Sequence, residues 1–271
     1  MKMKPISKFY TSLILIFLYA PIIVLIVFSF NAEKSTSVME GFSFRWYREL
    51  FRNEAIMDAL KRTLIVASIS SVVATILGTA AAVGIDKITN KWFKSATLSV
   101  TNIPMMNPDI VTGVSMMLMF VFVGRMFGQK SILGFYTLVI SHITFNLPYV
   151  ILSVLPKLKQ TDKHLSEAAQ DLGCTPIGAF FRVVLPSIFP GILTGMMMSF
   201  TLSLDDFIIS NFTTDTYQTL PIYIYSMTKK NVSPDINALS TLIFLSILFL
   251  LVLINITQNK MDERMKNQKS L

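Results

Sequence analysis

The sequence predicts an all-α membrane protein of six transmembrane helices with cytoplasmic N- and C-termini, and three observations carry that expectation. Of the 271 residues, 52% are hydrophobic and only 15% charged, against about 25% charged in ordinary soluble domains. Six apolar runs approach or exceed the roughly 20 residues that a helix needs to cross a bilayer. Lys and Arg are shared unevenly between the segments that connect those runs. The same composition excludes intrinsic disorder, collagen and coiled coil. A lone cysteine, Cys174, excludes a disulfide scaffold. The net charge of +8 would often point to nucleic acid. A chain this apolar needs another account, so membrane lipid and no nucleic acid is the expectation.

The first run, Phe9–Phe30, follows Lys2, Lys4 and Lys8. It exceeds the apolar core of about 7–15 residues of a cleaved signal, and no small-x-small site follows before Asn31, so a retained span is expected. An outer segment, 32–61, comes next. Within it Gly41–Leu60 spaces aromatic and basic residues as an amphipathic helix, with Trp46 and Tyr47 suited to a membrane interface. The second run is Leu64–Ile85. The third, Ala96–Val123, is interrupted by Pro104 and Pro108, and the fourth, Ile132–Leu155, contains Pro148. These prolines are read as kinks. The fifth run is Ile188–Phe212 and the sixth Ala238–Ile256. The expected organisation is therefore 1–31, the outer segment 32–61, a core 62–257 and a tail 258–271. With the N-terminus inside, 14 Lys and Arg lie on inner segments and 10 on outer ones, which sets the orientation by the positive-inside rule. With acids included, the inner segments hold +8, the outer ones +3 and the spans −3.

The inner loop 156–187 is the most informative stretch. Leu165, Ala168, Ala169 and Leu172 recur at helical spacing, with Asp162 placed to cap and Gly173 to terminate. Thr175-Pro176 opens a second short helix, Ile177–Val184, which Leu185-Pro186 is expected to break. No phosphate-binding loop occurs anywhere; Gly128-Gln129-Lys130-Ser131 lacks its spacing. The chain is therefore expected not to hydrolyse ATP by that route.

Glu167-Ala168-Ala169, Gly173 after three residues, then Val183-x-Leu185-Pro186 after nine more, resembles the EAA loop of binding-protein-dependent ABC importer permeases of type I. Val183 departs from the isoleucine usual there by one methylene. In that family the loop supplies coupling helices that dock on the ATP-binding subunit, so Glu167, Ala168, Ala169, Gly173, Val183, Leu185 and Pro186 are the expected coupling residues. Met106-Asn107-Pro108-Asp109-Ile110-Val111, Ser141-His142-Ile143-Thr144-Phe145, Phe200–Asp206, Tyr225-Ser226-Met227, Val232-Ser233-Pro234 and Asn237-Ala238-Leu239 are similar to the spermidine/putrescine branch, within it the second of two permease subunits. The resemblance implies five partners: a second permease subunit, two ATP-binding subunits that carry ATP and Mg, an extracytoplasmic polyamine-binding protein, and the membrane. This chain would bind no cofactor and would not be an enzyme.

A charge in mid-bilayer costs about 2.5–3.5 kcal/mol, so such residues face a bundle interior or a wet path. Asp109, Asp205 and Asp206 are the three acids within the spans, and no basic residue joins them. They are candidates to line a path for a polyammonium substrate. The alternative is that they cap helices or pair with Asn107, His142 or Asn146. A lone His142 reads as a hydrogen-bonded packing residue, and no metal site is expected. Gly191, Gly195, Ser199 and Ser203, spaced every four residues, read as a close-packing stripe, with span five of the second permease chain as a candidate partner and substrate contact as the alternative. On the outer side, Trp46, Tyr47, Asp215, Tyr217, Tyr223 and Tyr225 are candidates for docking a binding protein or handing over a cation. The rival readings are an importer of another solute, an ion-coupled secondary transporter, and a membrane enzyme. The secondary transporter leaves the EAA loop unexplained, and no nucleophile–base pair supports the enzyme.

Overall fold

Long apolar helices dominate the computed structural model, which describes residues 5–33, 38–129, 132–162, 164–229, 236–249, 251, 252 and 256. Among the described residues, five helices are long and apolar enough to cross a membrane, and a shorter apolar one spans Ile236–Phe249. The remainder of the predicted sixth run lies largely outside the described residues, as do Val232, Ser233 and Pro234. The chain divides into two compact units. One is Met1–Asp58 with Tyr223–Leu271, and the other is Ala59–Ile222.

In the first unit, α1 (Pro5–Phe28) leads into a turn held by Asn31, whose side chain is fully buried. Its amide donates to the Val38 carbonyl at 2.8 Å and accepts from the Glu40 N–H at 2.9 Å. Phe30 stacks on Phe42 at 5.1 Å and meets Phe44 edge-on. The predicted amphipathic helix 41–60 is in fact two elements, α2 (Arg45–Arg52) and the start of α3 (Glu54–Lys87). Asn53, extended at ψ 100°, separates them.

The second unit is built around α6 (Phe135–Gln160). Before it come α3, α4 (Lys91–Met106) and α5 (Asp109–Met126). Asn90 starts α4 by accepting from the N–H groups of Trp92 and Phe93. The third apolar run is not one helix: Asn107 turns extended (φ −77°, ψ 142°), as a residue before proline prefers, and α5 begins immediately after Pro108. Pro104 and Pro148, by contrast, lie inside continuous helices.

After α6 come α7 (His164–Asp171) and α8 (Pro176–Ala179), which runs through a π-helical turn, Phe180–Val184, into α9 (Leu185–Asp205). The expected break at Leu185-Pro186 does not occur. A proline ring collides with the carbonyl four residues back in an α-helix. Here the Leu185 N–H bonds instead to Phe180 O, and this wider turn accommodates the ring. The fifth predicted run does break, at Asp206 (φ −63°, ψ 118°). The short α10 (Ile208–Thr213) follows it, and then α11 (Leu220–Thr228).

Helices α6 and α9 pack antiparallel, and the small-residue stripe is the reason. A Cβ on Gly195 would lie 3.1 Å from Val150 Cα, and one on Gly191 would lie 2.9 Å from the Ser153 carbonyl oxygen. The stripe is therefore consumed within this chain by α6. Val150 is held between two glycines, since a Cβ on Gly78 of α3 would come within 2.7 Å of its side chain. Ala74, Ala82, Ile85, Ile151, Val154, Leu155, Leu158 and Ile188 complete this core.

Candidate functional site

Two of the predicted carboxylates stand where transmembrane helices are broken. Asp109 is the first residue of α5, and Asp205 is the last of α9. An acid in a first helical turn is favoured by the N–H groups exposed there, which accounts for Asp109. Both are exposed in the isolated chain. They lie within electrostatic range of each other, and the half-buried Tyr149 of α6 lies within range of Asp109.

Asp206 behaves differently. Its side chain is only 7% exposed. Its carboxylate accepts from the N–H groups of Ile209 and Ser210 at 3.2 and 2.7 Å and from the Ser210 hydroxyl at 2.9 Å, which starts α10. His142 Nε2 lies 3.4 Å from the same carboxylate and 2.9 Å from Ser210 Oγ, while Nδ1 meets Ser203 Oγ. Ser203 in turn meets Ser70 of α3 at 3.0 Å. Asp206 thus takes the capping and His142-pairing role set out above as the alternative. With the ring proton on Nε2, each donor is used once along the sequence Ser70, Ser203, His142, Ser210, Asp206. Four helices, α3, α6, α9 and α10, meet at this buried node. Sequence reasoning singled out neither Ser70, Ser210 nor Tyr149, because a serine or tyrosine in an apolar run carries no pattern until its neighbours are known.

The EAA segment forms at the end of the unit where α3 and α6 finish in Lys87, Lys157 and Lys159. Gly173 adopts φ +89°, a left-handed conformation that glycine takes without strain, and so ends α7. Thr175 caps α8 by accepting from the Gly178 N–H at 3.1 Å. Glu167 and Ala168 are exposed, whereas Ala169 is buried. Glu167 accepts a hydrogen bond from His164 Nδ1 at 3.0 Å when that nitrogen is protonated, and that bond, with the Glu167 and Asp162 charges, raises the His164 pKa above its usual 6.5. Leu172 is 88% exposed and Ile177 73%, so the two short helices present apolar side chains outward. Val183, Leu185 and Pro186 lie in and just after the π-helical turn.

The predicted outer residues divide. Trp46 is 2% exposed and donates from Nε1 to the Asn31 carbonyl at 2.7 Å, so it is an internal tie and not an exposed interface anchor. Tyr47 meets Ser29 at 2.8 Å. Tyr223 is buried. Tyr217 packs on Phe135 and lies under Arg62 at 5.4 Å. Asp215 and Tyr225 remain exposed, the latter facing Lys229 Nζ at 4.6 Å. Among the described residues no cluster of His, Cys, Asp and Glu could hold a metal ion.

A family model described as binding-protein-dependent transport system inner membrane component matches residues 74–267. The chain belongs to this family. The permease resembles the putrescine transport system permease protein PotI of Escherichia coli (strain K12), at 39% identity over 228 residues, 84% of this chain and 81% of that one. It is 38% identical over 239 residues to the spermidine/putrescine transport system permease protein PotC of the same strain, covering 87% of each. Among solved structures, a bacterial alginate ABC transporter in complex with an alginate pentasaccharide-bound periplasmic protein aligns with a TM-score of 0.71 at 19% identity, over 96% of this permease and 93% of that chain. That likeness establishes the fold, that of ABC importer permeases, and the family makes the chain a membrane component of a transport system.

Proposed function

We propose that this permease is one of two non-identical membrane subunits of an ATP-driven polyamine importer, with both termini in the cytoplasm. The observation that carries the substrate class is the placement of two exposed carboxylates, Asp109 and Asp205, at two breaks in the apolar helices. A flexible chain of ammonium groups needs carboxylates to replace its hydration, and spaced weak sites let it leave again. The relatives named for putrescine and spermidine support the same class.

The EAA segment would dock on one of two ATPase subunits that hold ATP and Mg. The exposed Leu172 and Ile177 favour a hydrophobic seat, and Glu167 is its exposed polar edge. Asp215 and Tyr225 would face an extracytoplasmic polyamine-binding protein. The test is uptake of putrescine and spermidine by the reconstituted importer. Asp109→Asn and Asp205→Asn should each lower uptake at normal assembly, and wild-type uptake in both sinks the reading. Stimulation of ATP hydrolysis by a sugar or an oxyanion alone overturns the substrate class.

A further inference from the structure

Asp205 and Asp206 are adjacent, yet the fold gives them opposite environments. A continuous helix would place them about 100° apart on one cylinder, with neither drawn into the protein by its backbone. Instead the backbone leaves the helix at Asp206, and three hydrogen bonds draw its carboxylate into the protein. Those bonds alone would make an ordinary helix cap. The feature beyond a cap is His142, 2% exposed, which reaches the same cap from α6 and is braced on its far side by Ser203 and Ser70. The start of α10 is thereby fixed against α6 and α3. Helix α10 also backs α5 closely: a Cβ on Gly113, one turn after Asp109, would lie 3.1 Å from the Phe212 ring. The node therefore bears on both exposed carboxylates.

We infer that the buried His142–Asp206 pair is the positioning device of the cation path, setting the α9–α10 turn so that Asp205 is held out to the substrate within range of Asp109. This rests on the path reading of Asp109 and Asp205 above. His142 and Asp206 touch no substrate; they act through Asp205.

The experiment uses the complete importer in proteoliposomes, with KM and maximal rate of polyamine uptake measured per assembled complex. Asp205→Asn, His142→Ala and Asp206→Ala are compared with the double variant His142→Ala with Asp205→Asn. A hydrogen bond to a charged group is worth about 1.5–3 kcal/mol, so a carboxylate held out of place should raise KM by about ten- to a hundredfold. The double variant should be no worse in KM than Asp205→Asn alone, because both changes act through one group. Asp206→Asn retains a good capping side chain and should recover most of what Asp206→Ala loses. If Asp205→Asn has no effect on KM, the path reading has failed. If Asp205→Asn raises KM while His142→Ala lowers only the maximal rate or the yield of complex, the pair is structural and the inference is overturned. Additive losses in the double variant also overturn it. Should His142→Ala not assemble, the same cycle with His142→Gln, which keeps a hydrogen-bonding side chain, decides by the same outcomes.

Discussion

Gly78→Ala on α3 should destabilise the permease although alanine is the better helix former. A Cβ there would lie 2.7 Å from both Cβ and Cγ1 of Val150. Rotation of the valine moves Cγ1 but not Cβ, which is fixed to the α6 backbone. Ordinary contact begins at 3.4 Å, so α3 and α6 must part by about 0.7 Å. Helix α6 cannot give way toward α9, because Gly195 already stands against Val150 Cα. Overpacking of this kind costs about 1–3 kcal/mol, offset by about 1 kcal/mol of helix propensity. Gly84, on the same helix, has nothing within 4 Å of its would-be Cβ, so Gly84→Ala should gain the propensity alone. The two variants should differ by about 1–3 kcal/mol, or roughly 2–12 °C in Tm for a chain of this size. Thermal unfolding of the purified importer followed by intrinsic fluorescence reads this directly. Equal midpoints for Gly78→Ala and Gly84→Ala would refute the close-packing account of α3, α6 and α9.

Three further outcomes are expected. His164 should titrate above 6.5 by NMR, and Glu167→Gln should bring it down, since Glu167 is the leading cause of the shift; because the folded pKa is raised, the stabilisation is complete below about 6.5 and is lost as pH climbs through the folded value. An unchanged midpoint in Glu167→Gln would rule this out. Gly173→Ala forces a left-handed alanine at φ +89°, at a cost of about 1–2 kcal/mol, and should reduce ATP hydrolysis stimulated by the binding protein more than it reduces Tm. Trp46→Phe removes the buried indole N–H that the Asn31 carbonyl accepts, and loss of that hydrogen bond should cost about 0.5–1.5 kcal/mol, whereas the same change at Trp92, 80% exposed, should stay within about 0.5 kcal/mol; similar Tm values for both would contradict the buried tie.

Much of the fold was legible because the bilayer imposes length and polarity together. The runs at 9–30, 64–85 and 132–155 met those limits, and each coincides over most of its length with a long helix. The EAA spacing was legible because glycine and proline mark turns locally: Gly173 does take a positive φ, and Thr175 does cap. What failed depended on surroundings that spacing alone does not reveal. Trp46 reads as an interfacial residue until the Asn31 carbonyl, fifteen residues earlier, is seen to receive its N–H. Pro186 reads as a breaker until a π-helical turn absorbs its ring. The small-residue stripe promised a close neighbour, but only the fold shows that α6 already occupies it.

The pair Asp205-Asp206 is where local and distant signals meet. Hydropathy sees one apolar run from Ile188 to Phe212 carrying two acids, and nothing local says which acid is turned inward. The answer comes from α6, where a histidine sixty-four residues earlier in the chain supplies the buried partner that only one of them can reach. A carboxylate that gains a cap and an imidazole is withdrawn from solvent, and its neighbour is left at the end of a truncated helix with no such tie. The same logic explains why Asp109 needs no buried partner: Pro108 ends one helix and lets the next begin at the acid itself, where exposed N–H groups favour its charge. Two unrelated devices, a proline break and a histidine-braced cap, thus leave one exposed carboxylate each, and the proposed path for a cation with several separated charges would use both.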